Sequence, residues 1–156
     1  MEKETEDSFS RLNVIVPARI SSERTRELLG ADAEAWLDEC IAEKDDGSRE
    51  FGTSLSLRVS DRVPRVRFDK AAIVELGNIK HRGDIYRVSI SWRSSGLAPL
   101  FPVFAGTLTI DGQSLHLRGC YAPPGGSVGR LADRAILYLA AQKTAATLLE
   151  KLRDKS

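Results

Sequence analysis

Several things are scarce in this chain, and each scarcity excludes something. Only two cysteines, Cys40 and Cys120, occur in 156 residues. That is too few for a disulfide scaffold, and they read as reduced thiols. No apolar run approaches the roughly 20 residues that cross a bilayer; AILYLAA, residues 135–141, is the most apolar stretch near the C-terminal end. Charge of one sign is not in excess. Lys and Arg number 23 against 22 Asp and Glu, a net +1 with both signs interspersed, so nothing electrostatic favours nucleic acid or an anionic membrane. The opening residues MEKETEDS lack the basic start and apolar core of an export signal. A cytoplasmic location is therefore expected.

What is present fits one soluble domain. Hydrophobic residues make up 42% and charged residues 29%, ordinary values for a globular protein, and the length suits a single sizeable core. Residues 1–8 are expected to form a flexible tail and residues 9–156 the domain. RLNVIVPAR reads as a strand with Leu12, Val14 and Val16 on one face and Pro17 near its end. ISSERTRELL follows as a short helix that Ser21 or Ser22 can cap and Gly30 can end. A second helix is expected from about Asp32, because Ala33, Trp36, Leu37, Cys40 and Ile41 fall at helical spacing.

Beyond a turn-rich EKDDGSRE the period changes to two. TSLSLRV alternates, VPRVRFDK is a further strand candidate, and AAIVEL is apolar throughout, so its facing stays open. In IYRVSISWR, Tyr86, Val88, Ile90 and Trp92 share a face. Phe104, Gly106, Leu108 and Ile110 do so in PVFAGTLTI, and Leu115, Leu117, Gly119 and Tyr121 in SLHLRGCY. Glycine-bearing KHRGD and DGQ between them read as hairpin turns. Short connections imply an antiparallel meander covered on one side. Val128, Leu131, Ala135, Tyr138, Leu139, Gln142, Ala145, Ala146, Leu149 and Leu152 then trace one face of a long helix over about residues 127–153, with Ser127 as its cap. The fold class is α+β: a strand, two short helices, five or six strands and a long final helix.

The stretch GCYAPPGGSVGRLADRA, residues 119–135, invites comparison with a phosphate loop. It spells neither G-x-G-x-x-G nor G-x-x-x-x-G-K-[ST], and no strand is expected after its helix to complete a parallel unit. A hinge fits better. Pro123 and Pro124 end strand pairing, Gly125 and Gly126 permit a reversal, and the helix folds back over the apolar face of the sheet.

With these elements in order, the chain resembles the START and SRPBCC superfamily, which includes the birch-pollen allergen and bacterial polyketide cyclase-like proteins. The resemblance spans about residues 12–154. It is carried by VIVPARISSERTRELL, the ISW strand at Ile90–Trp92, FAGTLTI, and LRGCYAPPGGSVGRLADR leading into the helix. It implies a helix-grip fold, in which a curved antiparallel sheet of about six strands wraps a C-terminal helix with a hydrophobic cavity between them. The family often has an aromatic residue where this chain has Arg26 and Glu27.

Under that resemblance the expected ligand-lining residues are Tyr86, Val88, Ile90, Trp92, Phe104, Leu108, Leu117, Tyr121, Leu131 and Tyr138. The alternative is that they are plain core. Tyrosines would offer hydroxyls to orient a ligand's polar end. His116 and Cys120 share a strand face with Arg118, and Cys40 and His81 are the other soft donors, but the spacing lacks the close ligand pairs of a zinc site. His81 and Asp84, with Glu75 nearby in sequence, flank a turn where an acid–base pair is conceivable and solvent exposure is commoner. RGD at residues 82–84 matches an adhesion tripeptide and, with no export signal expected, reads as a chance match. Asp133 suits the positive end of the last helix, and Arg134 follows it there; Arg58, Arg65 and Arg67 read as a solvated strand face.

No catalytic constellation, metal site or cofactor motif emerges. The expected function is intracellular binding of a small hydrophobic molecule, lipid-like or polyketide-like, with no nucleic-acid partner. The alternatives are a cyclase- or dehydratase-like enzyme on a hydrophobic substrate and an interaction module without a cavity.

Overall fold

A computed structural model describes residues 10–58, 67–94, 103–122 and 134–156. The elements in chain order are β1 (Ser10–Pro17), α1 (Ser22–Leu29), α2 (Glu34–Leu37), β2 (Glu39–Glu43), β3 (Arg49–Arg58), β4 (Arg67–Arg82), β5 (Ile85–Ser94), β6 (Val103–Ile110), β7 (Ser114–Ala122) and α3 (Arg134–Asp154). The class is α+β. One open antiparallel sheet runs in the order β1-β7-β6-β5-β4-β3-β2. It has seven strands where about six were expected.

The additional strand is β2, in the stretch read as the end of the second helix. The spacing of Trp36, Leu37, Cys40 and Ile41 is compatible with a helix, but the backbone leaves it at Asp38, with φ 62° and ψ −91°. The Asp38 carboxylate accepts from Thr53 Oγ1 (2.8 Å) and from the Ser54 amide (3.2 Å) on β3. These bonds hold the corner and feed the chain into pairing with β3, which leaves Ile41 49% exposed. Alternation in the sequence had separated RFDK from AAIVEL, yet both belong to β4. Ala72, Val74 and Leu76 face inward, and the facing of AAIVEL is thereby settled. A register shift between Leu76 and Ile79 then changes the parity, so that Ile79 rather than Asn78 lies opposite Val88. Such bulges hide a strand's period from the sequence. The turn from β4 to β5 has two residues, with positive φ at Gly83 alone (61°), the pattern of a II′ hairpin.

The register sets the inner face in rows that cross the strands. One row is Phe51–Val74–Trp92–Phe104–Tyr121. Beside it runs Leu76–Ile90–Gly106–Gly119–Leu12, then Ile79–Val88–Leu108–Leu117–Val14, then His81–Tyr86–Ile110–Leu115–Val16. Except for the two glycines, half-buried Ile79 and exposed His81, every residue in these rows is buried. Arg87, Ser89 and Arg93 face outward and are exposed. At Gly106 and Gly119 the backbones of β6 and β7 come very close. A Cβ on Gly106 would collide with the Arg118 carbonyl oxygen, one on Gly119 would collide with that of Ala105, and each would meet the Phe104 ring at 2.6 Å.

The last helix closes the inner face. Ala141, Thr144, Ala145, Leu148, Leu149 and Leu152 are buried on α3, a stripe at i, i+3, i+4 spacing. The stripe is rotated from the expected one, since Tyr138 and Leu139 are 40% and 51% exposed. Val128, Leu131 and Ser127 lie outside the described residues, as do residues 1–8, where a tail was expected, and Pro123–Gly126, where a hinge was expected. α3 packs closely on β1 and β3 and at one edge on β7; contacts as close with β4, β5 and β6 are few or absent among the described residues. In a flat sheet β1 and β3 would stand about 24 Å apart, five spacings of ~4.8 Å. A helix lying over such a sheet would approach the central strands as closely as the flanks. Close contact at both flanks and little in the middle therefore means that the sheet is concave toward α3.

Polar ties fix the ends of the helices. Ser21 Oγ accepts the Arg24 amide at the start of α1, and Gly30 caps its end. Arg49 donates to the Leu29 and Gly30 carbonyls (2.7 and 2.9 Å). Arg24 donates to the Lys155 carbonyl at the end of α3 (2.8 Å). Lys151 Nζ donates to Thr53 Oγ1 (2.9 Å) and lies 3.4 Å from Asp38.

Two outcomes follow from this packing. Gly119→Ala should lower stability by at least about 2 kcal/mol in chemical denaturation, because backbone cannot yield to a methyl group as a side chain can. Asp38 gives a pH signature. Partial burial pushes its pKa up, but the hydrogen bond from Thr53, the charge of Lys151 and the Ser54 amide outweigh burial and hold it below the usual carboxylate value. Stability from a lowered carboxylate pKa is present above the unfolded value and is lost as pH falls through the folded one. Asp38→Asn should therefore lower Tm by about 1–3 °C above roughly pH 5, a small gap because the side chain is half-exposed, and the gap should narrow as pH falls below the usual carboxylate range.

Candidate functional site

The inner face of β5, β6 and β7 gathers most of the expected site. Tyr86, Val88, Ile90, Trp92, Phe104, Leu108, Leu117 and Tyr121 are all buried there, none more than 4% exposed. Alternation alone brings them together, since every second residue of a strand points to one side. Tyr138 reaches this group from α3, its ring centroid 6.4 Å from that of Tyr121, although it remains 40% exposed. Leu131 lies outside the described residues.

Within the face, Trp92 and Phe104 stack with centroids 4.2 Å apart and planes 20° from parallel. The tip of the Phe104 ring lies over Gly106 and Gly119. The absence of two side chains is thus what lets an aromatic ring lie flat on the strands. The Trp92 Nε1–H is buried and has no hydrogen-bond partner among the described residues. Trp36, equally buried, donates its Nε1–H to the Leu28 carbonyl at 2.7 Å.

Polar groups converge at the opposite end of β5. The Arg26 guanidinium donates to the Tyr86 hydroxyl at 3.1 Å, and this bond is the main reason its pKa is raised. The His81 ring stacks on Tyr86 with centroids 5.4 Å apart. The Tyr86 oxygen thus accepts from a cation at the rim while its ring forms part of the apolar floor. Arg26 was noted in the sequence only as the place where the family often has an aromatic residue; its bond to a residue 60 positions away leaves no local signal. Phe51, Val74 and Leu76 were also missed. Extending the alternation of TSLSLRV backward by two residues reaches Phe51, whereas Val74 and Leu76 were hidden by the unbroken apolar run.

The other candidates disperse. His116 on the outer face contacts Asn13 of β1, Cys120 is exposed on β7, and Cys40 is half-buried on β2 at the far side of the sheet. Among the described residues no three His, Cys, Asp or Glu side chains are grouped to hold a metal. Asp84 accepts from Ser22 Oγ at 2.8 Å and Glu75 from Lys44 Nζ at 2.9 Å, and no hydrogen bond joins either to His81 among the described residues. The side chains of Arg58, Arg65, Arg67, Asp133 and Arg134 lie outside the described set. A hollow of about 630 Å³ opens where β1 runs out toward α1, bounded by Arg19, Ile20, Ser21, Gly112 and Gln113. It opens broadly to solvent and touches none of the aromatic row, so the enclosed face is the better candidate for holding an apolar molecule.

No family model matches the sequence, and no curated protein matches it. Solved structures do resemble the fold. A conserved protein from Geobacillus kaustophilus superposes with a TM-score of 0.57 over 94% of each chain at 14% identity. A STAR-related lipid transfer protein (fragment 25-204) from Xanthomonas axonopodis superposes with a TM-score of 0.51, covering 97% of this chain and 90% of that one at 15% identity. At these identities the likeness establishes a START-like fold. No helix among the described residues is long and apolar enough to cross a membrane.

Phe104→Ala is expected to cost about 3–5 kcal/mol in denaturant unfolding, since it removes the cover of two glycines as well as the stack with Trp92.

Proposed function

We propose that this protein binds a small hydrophobic molecule between the concave face of the sheet and α3. The observation that carries this reading is the distribution of helix contacts. α3 packs closely on β1 and β3 at the flanks, while among the described residues contacts as close with the central strands bearing Val88, Ile90, Trp92, Phe104 and Leu108 are few or absent. A helix held at the sides over an apolar floor leaves its middle to be filled by side chains, by a ligand, or by both. Alanines at positions 141 and 145 on the buried stripe keep the helix side of that interval small. Affinity would come from apolar burial at roughly 25 cal/mol per Å², with few polar groups to set orientation. Of the lipid-like and polyketide-like ligands expected, the likeness to a STAR-related lipid transfer protein agrees with the lipid-like one. Tyr121 and Tyr138, paired at the N-terminal half of α3, would form one wall, and Tyr86 with Arg26 the other end.

A thermal-shift screen of fatty acids, sterols and polycyclic aromatic compounds tests this. Ligand at a hundredfold excess over Kd should add about 2.7 kcal/mol, a rise of roughly 5–10 °C in Tm for a chain of this length. Ile90→Phe, which thickens the floor, should weaken the same ligand at least tenfold. A panel that produces no shift would instead favour a filled core serving as an interaction module.

A further inference from the structure

One polar atom on the apolar face is unaccounted for. Buried donors in folded proteins are nearly always hydrogen-bonded, yet the Trp92 Nε1–H has no partner among the described residues. The surrounding register explains why the protein does not supply one. Trp92 lies opposite Val74 on β4 and Phe104 on β6, and neither side chain can accept a hydrogen bond. β5 is an interior strand with ladders on both sides, so its own carbonyls beside Trp92 are engaged in strand pairing. Trp36 shows the contrast: it is just as buried, but a free carbonyl at the end of α1 meets its indole. Among the described residues, three cations near the inner side are already engaged. Arg26 donates to Tyr86, Arg49 to the end of α1, and Lys151 to Thr53 beside Asp38.

We infer that the Trp92 indole N–H is the polar anchor of the cavity, and that the ligand is an apolar molecule presenting a neutral hydrogen-bond acceptor such as a ketone, ester or ether oxygen. This rests on the binding reading above and narrows its ligand class. A donor with no cation in its row selects against a carboxylate, whose charge would be buried uncompensated. It selects against a plain hydrocarbon more mildly, because a hydrocarbon leaves the N–H unpaired. The stacked Phe104 ring holds the indole in one orientation, so the direction of the bond is set before the ligand enters.

Matched probe pairs test the inference: acetylnaphthalene against ethylnaphthalene, and acetylphenanthrene against ethylphenanthrene, titrated into the intact protein. Each pair has nearly the same shape and differs in one carbonyl oxygen. In proton–nitrogen correlation spectra the chain has two indole N–H signals, and that of Trp92 is assigned through its proximity to the Phe104 ring. The ketones should move the Trp92 signal downfield while the Trp36 signal stays in place, and the hydrocarbons should leave the Trp92 signal without that downfield move. After correction for partition into apolar solvent, each ketone should bind about tenfold more tightly than its partner. Trp92→Phe should remove that preference and leave hydrocarbon affinity within about twofold. If both members of a pair bind equally and the Trp92 proton does not move, the anchor is wrong while the cavity stands. If no probe binds, both the cavity and its anchor fall. The spectra of the unaltered protein decide the matter even where Trp92→Phe does not fold.

Discussion

The close approach of β6 and β7 at Gly106 and Gly119 is the constraint on which the remaining architecture depends. The Arg118 and Ala105 carbonyls occupy the space where side chains would begin, so only glycine fits at either position. Two consequences arise together. The strands can bend sharply there, because there is no bulk on the inner side to resist closure. The vacated surface also accepts the Phe104 ring, and through it the Trp92 stack. Curvature and aromatic floor are thus one feature seen from two directions. With the sheet bent, its flanking strands β1 and β3 come within reach of a single helix, and α3 can hold both.

Hydrophobic burial pulls α3 onto the sheet but is poorly directional. Its position is set by the polar ties. Lys151, Thr53 and Asp38 join the last turns of α3 to β3 and to the corner before β2. Arg24 caps the end of α3 from α1, and Arg49 caps the end of α1 from β3. Each tie is partly exposed, and exposed ion pairs contribute little stability singly. Their value lies in geometry: three helix ends and one strand are linked so that a rotation of α3 about its axis breaks several bonds at once.

Much of this was legible in the sequence, for a definite reason. Strands with one buried face announce themselves by alternation, and β1, β5, β6 and β7 alternate without interruption. Eight of the ten expected lining residues come from β5, β6 and β7, and all eight are buried on the inner face. The reading failed wherever a local device overrode the period. Asp38 turned a helical spacing into a strand, the shift between Leu76 and Ile79 hid the facing of β4, and α3 rotated its stripe away from Tyr138 and Leu139. These are tertiary decisions. Asp38 acts through Thr53, and α3 through the concavity it must fill, and neither partner is near in sequence. Arg26 is the sharpest case, an exposed helix residue whose bond to Tyr86 only the docking of α1 creates.

A START-like fold by itself says little about chemistry, because one architecture serves many sites. What separates a ligand chamber from an ordinary core is the fate of its polar atoms. An evolved core pairs them or omits them, as Trp36 illustrates with its bond to the Leu28 carbonyl. Had position 92 served packing alone, phenylalanine would stack on Phe104 equally well and leave no donor unpaired. A tryptophan there keeps a donor on the apolar floor at a standing cost to stability. Under the proposed binding, that cost would be recovered when an acceptor arrives from outside the chain, and a hydrogen bond formed only on binding confers selectivity in the way a bond already formed in the free protein does not.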